Sequence, residues 1–125
     1  MNAASLDTRW TLSGYSSNNT ITHYTDWNSI SSDGDLVYFW ELVDYRFLNS
    51  ASTYATEKSY VTYHEGDCVK FRYRSYQTHL YAKFMAEGDI VETTIPDSSW
   101  VYPPPDTPQR RGLGSVCTLT KHLRQ

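Results

Sequence analysis

The chain has 125 residues and a net charge of −3, which suits one domain with a single modest core. That charge is too small to hold a chain open, and its sign gives no general attraction to nucleic acid or to anionic membranes. Eleven tyrosines and four tryptophans supply large rings to bury, so the composition is that of a folded, mildly acidic domain.

The opening MNAASLDT, residues 1–8, reads as a flexible segment ahead of one domain over residues 9–123. It carries no basic-then-apolar leader. The chain is therefore expected to be cytosolic, or else a mature form in which Met1 replaces a leader. The longest apolar run, Leu36 to Trp40, is far too short to cross a bilayer as a helix.

Arg9–Ser16 and Asn19–Tyr24 flank a short polar turn and predict an opening hairpin. Thr25–Ile30 predicts one helical turn with Asp26 as its cap. The run SSDGD, Ser31–Asp35, is a turn signal. Asp35–Phe47 is apolar on both faces over much of its length and predicts a central strand. Trp40 sits midway along it and is expected to be buried, either under a C-terminal helix or on the opposite face. Ser59–Glu65 and Val69–Arg74 alternate with period two and predict an antiparallel hairpin, with the turn in EGDC. Gly88–Ile95 predicts a sixth strand. Trp100 and the three prolines after it read as an extended spacer that redirects the chain, rather than as a docking ligand. Thr107 or Asp106 then caps a helix starting at Pro108, in which Leu113, Val116, Cys117, Thr120 and Leu123 recur at helical spacing. The array predicts an α+β domain: an antiparallel sheet of about six strands with a C-terminal helix packed on one face.

Few residues suggest chemistry. The four histidines, His23, His64, His79 and His122, show no metal-ligand spacing. His64 and His79 can meet on neighbouring strands, but a satisfied surface position is the commoner fate of such residues. Glu65 and Asp67 fall in the predicted turn and read as solvated charge. The sequence contains no nucleophile elbow and no phosphate loop, and it lacks a His/Cys cluster of the kind zinc requires. The expectation is a non-enzyme with no catalytic residues, no metal and no cofactor. Lys70, Arg72 and Arg74 form a stripe at i, i+2 and i+4, with Tyr63 across the hairpin. This is a candidate binding face for an acidic polymer. Its alternative is a plain solvated face, partly paired with Glu57 or Glu92, with contact carried by loops such as Asn49–Ser59. On either reading, exchanging all three cations for glutamine is expected to leave the fold nearly unchanged. Cys68 and Cys117 allow one disulfide, which would stabilise the fold by about 4 kcal/mol in the chain-entropy picture. Two free thiols remain the alternative at this point.

With these parts placed, the order of motifs resembles the surface-adhesin protein E family of small exported bacterial proteins. The features run from Trp10 to Cys117. They are Trp10; Tyr24, Thr25 and Asp26 with Ser29 and Ile30; Asp33-Gly34 before a strand; and Trp40, Leu42, Asp44 and Tyr45 within it. Then come Asp67-Cys68, a basic–aromatic strand ending in Tyr76, Gly88, Trp100, a proline segment, and Leu113 ahead of Cys117. The triple proline and the longer Tyr- and Ser-rich link from Asn49 to Ser59 depart from the family pattern. The resemblance implies an antiparallel sheet with a packed terminal helix, a disulfide between Cys68 and Cys117, export, often as a lipoprotein, and a capacity to dimerise. Members of the family bind host extracellular-matrix and serum proteins through variable loops. The expectation is a non-enzymatic, exported surface protein, in the periplasm or on the outer membrane, that binds a matrix or serum protein or an acidic glycan. The alternative is an envelope-associated structural or self-associating domain. The resemblance allows a homodimer as a partner state, and nucleic acid is not expected as a partner. Membrane contact is expected only through a removed or lipidated N-terminus.

Overall fold

A computed structural model describes residues 9–16, 19–47 and 57–123. The segment 1–8 and most of the Asn49–Ser59 link lie outside these residues. Among the described residues seven strands appear in chain order: β1 (Trp10–Ser16), β2 (Ile21–Asp26), β3 (Ser31–Asp33), β4 (Leu36–Asp44), β5 (Ser59–Asp67), β6 (Arg72–Tyr81) and β7 (Ile90–Thr94). One helix follows, α1 (Pro108–Leu119). The strands form one antiparallel sheet in the order β1-β2-β4-β5-β6-β7, with the short β3 paired to β4 beside β2. This is the expected α+β architecture with its terminal helix.

The central strand is β4, flanked by β2 and β5. Because side chains alternate across a strand, its two apolar sets serve two separate cores. Val37 and Phe39 face the helix and pack with Leu113 and Val116. Leu42 faces the other way and packs with Trp10 and Val61, beside Tyr24 and Trp40. The helix begins as its residues dictate. Thr107 is the N-cap, its hydroxyl accepting from the Arg110 N–H, and Pro108 fills the first turn, where a missing N–H costs nothing. Leu113, Val116 and Thr120 are fully covered, whereas Leu123 is exposed. Cys117 is bonded to Cys68 at the end of β5, so the helix is tied to the sheet.

The sheet leaves little room beneath that helix. A Cβ added at Gly66 would lie 2.6 Å from Leu113 Cδ1 and 2.9 Å from Val37 Cγ2. Gly66→Ala is therefore expected to destabilise the fold by about 1–3 kcal/mol. Urea unfolding of the two proteins measures the difference, and a change near zero would show that the helix can shift outward freely.

Three local expectations need correction. SSDGD is more than a turn, because Ser31–Asp33 pairs with Leu36–Tyr38 and only Gly34 (φ +62°) and Asp35 make the bend. The β5–β6 turn lies later than EGDC. β5 continues to Asp67, the turn occupies residues 68–71, and β6 starts at Arg72. Asp67 causes this, since its Oδ1 accepts from the Val69 and Lys70 N–H groups, at 3.0 Å each, and so pins the reversal. Trp40 is only half-buried, on the face opposite the helix, where its ring packs against Tyr63 and His79.

Candidate binding face

The face opposite the helix carries three of the four candidate residues. In β5 the odd positions point to it, and in the first part of β6 the even ones do, because Asp67 pairs with Arg72 and Glu65 with Arg74. Arg72 Nε donates to Asp67 Oδ2 at 3.0 Å, and Arg74 Nε donates to Glu65 Oε1 at 2.8 Å. Tyr76 and Tyr38 also donate to Glu65. A β-bulge at Tyr76 then switches the parity of β6, so that Gln77, His79 and Tyr81 take over the same face. Tyr63 lies on this face between Trp40, at 5.0 Å between ring centroids, and Tyr38, at 6.4 Å. Lys70 does not join them. It sits exposed in the turn, two residues before the strand begins.

Trp100 completes the arrangement. After β7 the chain returns along β6, with Tyr73 and Val101 exchanging both backbone hydrogen bonds. This places the Trp100 ring under both guanidiniums, 4.1 Å from Arg72 and 4.3 Å from Arg74. Pro103 is then buried, and its carbonyl accepts from Arg110 of the helix. The proline segment thus carries the chain from one face of the sheet to the other, which is the spacer role its composition suggested.

The electrostatics differ from a bare cationic stripe. Glu65 and Asp67 are buried, not solvated. Burial alone would raise both carboxyls. The hydrogen bonds from Tyr76 and Arg74 instead hold Glu65 below the usual carboxylate value, and those from the Lys70 N–H and Arg72 do the same for Asp67. The arginines therefore pair with their own hairpin and not with Glu57 or Glu92. Arg72 and Arg74 are thus engaged by carboxylates and do not point freely to solvent as the alternation had them. Arg74→Gln should lower the midpoint of thermal unfolding at neutral pH, whereas Lys70→Gln should leave it unchanged. The gap should narrow as the pH falls below the usual carboxylate range, because protonated Glu65 no longer needs the guanidinium. Equal midpoints for the two variants at pH 7 would contradict this.

A second polar cluster lies under the helix, where sequence reasoning placed nothing. Glu41 of β4 is buried between His23 of β2 and His64 of β5, with Oε2 at 3.3 Å from His23 Nδ1 and Oε1 at 2.8 Å from His64 Nε2. The far ring nitrogens meet the Ser16 and Ser75 hydroxyls at 2.9 and 2.8 Å. A neutral ring at either position would turn its N–H to Glu41 and accept from serine at its other nitrogen. Burial pushes the Glu41 carboxyl up, but the hydrogen bonds from His23 and His64, together with the charge attraction of the two rings, outweigh it and hold it at about 2. The space beside this cluster, closed by Tyr73, Gln109 and Gly112, is about 10 Å³, no more than one water needs. His64 and His79 do not meet. They point to opposite faces, and His79 bonds Thr93 at 2.9 Å. Among the described residues no group of His, Cys, Asp or Glu is arranged to hold a metal ion.

The residues that sequence reasoning missed are Trp100, Glu65 and Asp67 on one face and the His23–Glu41–His64 cluster on the other. A signal did exist for the carboxylates: two acids and two cations, each at spacing i, i+2, on either side of a tight reversal. Nothing comparable marks Trp100 or Glu41.

Comparison with known proteins places this arrangement in context. A family model described as surface-adhesin protein E matches residues 10–118. Crystal form II of Haemophilus influenzae protein E has a similar structure, with a TM-score of 0.63 and 18% identity over 90% of this chain and 89% of that one. Protein E from non-typeable Haemophilus influenzae gives 0.62 and 16% identity, over 94% of this chain and 81% of that one. At these identities the likeness establishes a shared fold. No curated protein matches the chain.

Proposed function

Because this chain belongs to the surface-adhesin protein E family, we propose that it is an exported, non-enzymatic surface protein that holds a partner protein through the face opposite its helix. One observation carries the reading. Arg72 and Arg74 are clamped between the Trp100 ring and the carboxylates of Asp67 and Glu65, beside Tyr63 and Tyr38. Arginine and aromatic side chains that are already ordered lose little entropy on contact, and these are the residue types that dominate protein–protein hot spots. The same pairing argues against an acidic glycan, since each guanidinium already has its counter-charge. Chemistry at the buried histidines is disfavoured by their enclosure, which leaves no room for a substrate. Export is supported by the disulfide, which forms and persists in oxidising compartments. No helix among the described residues is long and apolar enough to cross a membrane.

The test is solid-phase binding of the purified protein to matrix proteins, serum proteins and heparin. Saturable binding to at least one protein is expected, with weak binding to heparin. Tyr63→Ala should reduce the protein binding by about thirtyfold, as for other interface hot-spot residues. Tight heparin binding with no protein partner would reverse the assignment. A chain that binds neither and yet supports envelope integrity would favour the structural alternative.

A further inference from the structure

The two edges of the sheet are treated differently. At the β1 edge a bulge falls between Leu12 and Gly14, and Arg111 of the helix donates from Nε to the Ser13 carbonyl at 3.1 Å. Both devices blunt that edge. At the other edge, β7 pairs with β6 alone among the described residues. Its apolar side chains remain in solvent: Ile90 is 48% exposed, Val91 45%, and Ile95, just beyond, 83%. An edge strand with free backbone groups and exposed branched side chains is a template for another strand.

Its charges choose the occupant. Residues 87–97 hold Glu87, Asp89, Glu92 and Asp97 and no lysine or arginine. All four are exposed, and none belongs to an ion pair among the described residues. A second copy of this edge would therefore bring like charges together. A register centred on Glu92 sets Glu92 against itself and Glu87 against Asp97, which is destabilising across strands. A strand of opposite charge meets no such penalty.

We propose that the free edge of β7 docks an extended segment of a partner protein in which basic and apolar residues alternate, and that this segment joins the sheet as an additional strand. Its backbone would satisfy the outer N–H and C=O groups of β7, its apolar side chains would cover Ile90 and Val91, and its cations would meet the surrounding carboxylates. The edge is separate from the Arg72–Arg74–Trp100 face, so failure here leaves the preceding reading standing.

The experiment measures binding of the intact protein to short synthetic peptides by fluorescence anisotropy. A peptide alternating valine and lysine should bind, more weakly at high salt, and its valine–glutamate counterpart should not. Glu87→Lys combined with Glu92→Lys, both at exposed positions, should weaken the valine–lysine peptide by about tenfold and allow the valine–glutamate peptide to bind. N-methylating alternate amides, in one phase and then the other, should abolish binding in one of the two phases, because only one edge of the peptide faces β7. Three results would overturn the proposal. The first is equal affinity for both peptides, and the second is full binding by both N-methylated forms. The third is a dimer of the protein that Val91→Lys converts to monomer, which would assign the edge to a second copy.

Discussion

Replacing Glu41 by leucine is expected to destabilise the protein by about 2–6 kcal/mol, since it leaves two buried imidazole N–H groups without an acceptor and each such group costs about 1–3 kcal/mol. His23 Nδ1 and His64 Nε2 lie on either side of one carboxylate and beneath the helix, where the adjoining space has room for at most one water. Replacing His23, Glu41 and His64 together by apolar residues should recover much of the loss, because removing a whole buried polar cluster is often near neutral. The pH dependence has a definite sign. The Glu41 carboxyl is held at about 2, below its ordinary 4.5, so the unfolded chain takes up its proton first as the pH falls. The stabilisation is complete above pH 4.5 and is lost between there and about pH 2. Glu41→Gln should show a flatter decline over that window. Chemical denaturation from pH 7 down to pH 2.5 measures both effects. A Glu41→Leu protein as stable as the parent, or a Glu41→Gln protein with the same acid profile, would show that the cluster is not a stabilising element.

Removing the disulfide is the other large effect. Cys68 and Cys117 close a loop with a sequence separation of 49, and opening a loop of that size in the unfolded chain is worth about 4 kcal/mol in the chain-entropy account. Cys68→Ser combined with Cys117→Ser should lose that amount in urea unfolding, with the helix and its N-terminal arginines released first. The reason is local. Beyond the cysteines, the helix holds the sheet through Leu113 and Val116 against Val37 and Phe39 and through the Arg111 bond to the Ser13 carbonyl, and its two glycines add no side-chain contact. Hydrogen exchange should therefore show α1 amides losing protection while β4 and β5 amides keep theirs. A reduced protein whose helix exchanges as slowly as the central strands would contradict that order. Intact mass under denaturing, alkylating conditions should find no free thiol in the oxidised protein.

The sequence alone determined whatever depends on near neighbours in the chain. The Pro108 start of the helix with its cap at Thr107 or Asp106, the Asp26 cap of the turn at Trp27–Ser29, the two-faced apolar pattern of β4 and the opening hairpin were all legible. Each is set within a few residues, by a side-chain hydrogen bond or by a period of hydrophobicity. Tertiary structure decided what depends on register. Glu41, His23 and His64 meet only because β2 and β5 flank β4 with Thr25 and Thr62 opposite Glu41. A shift of one residue in either pairing would turn a histidine to the opposite face. The alternation read over Lys70, Arg72 and Arg74 failed at its first residue for the same reason. Asp67 fixed the reversal so that Lys70 fell in the turn, and the bulge at Tyr76 changed which residues face outward beyond it. Trp100 reached the arginines because the returning chain pairs Val101 with Tyr73. No pattern within the residues around Trp100 encodes that contact, since its partners lie more than twenty residues away and are chosen by the path of the backbone.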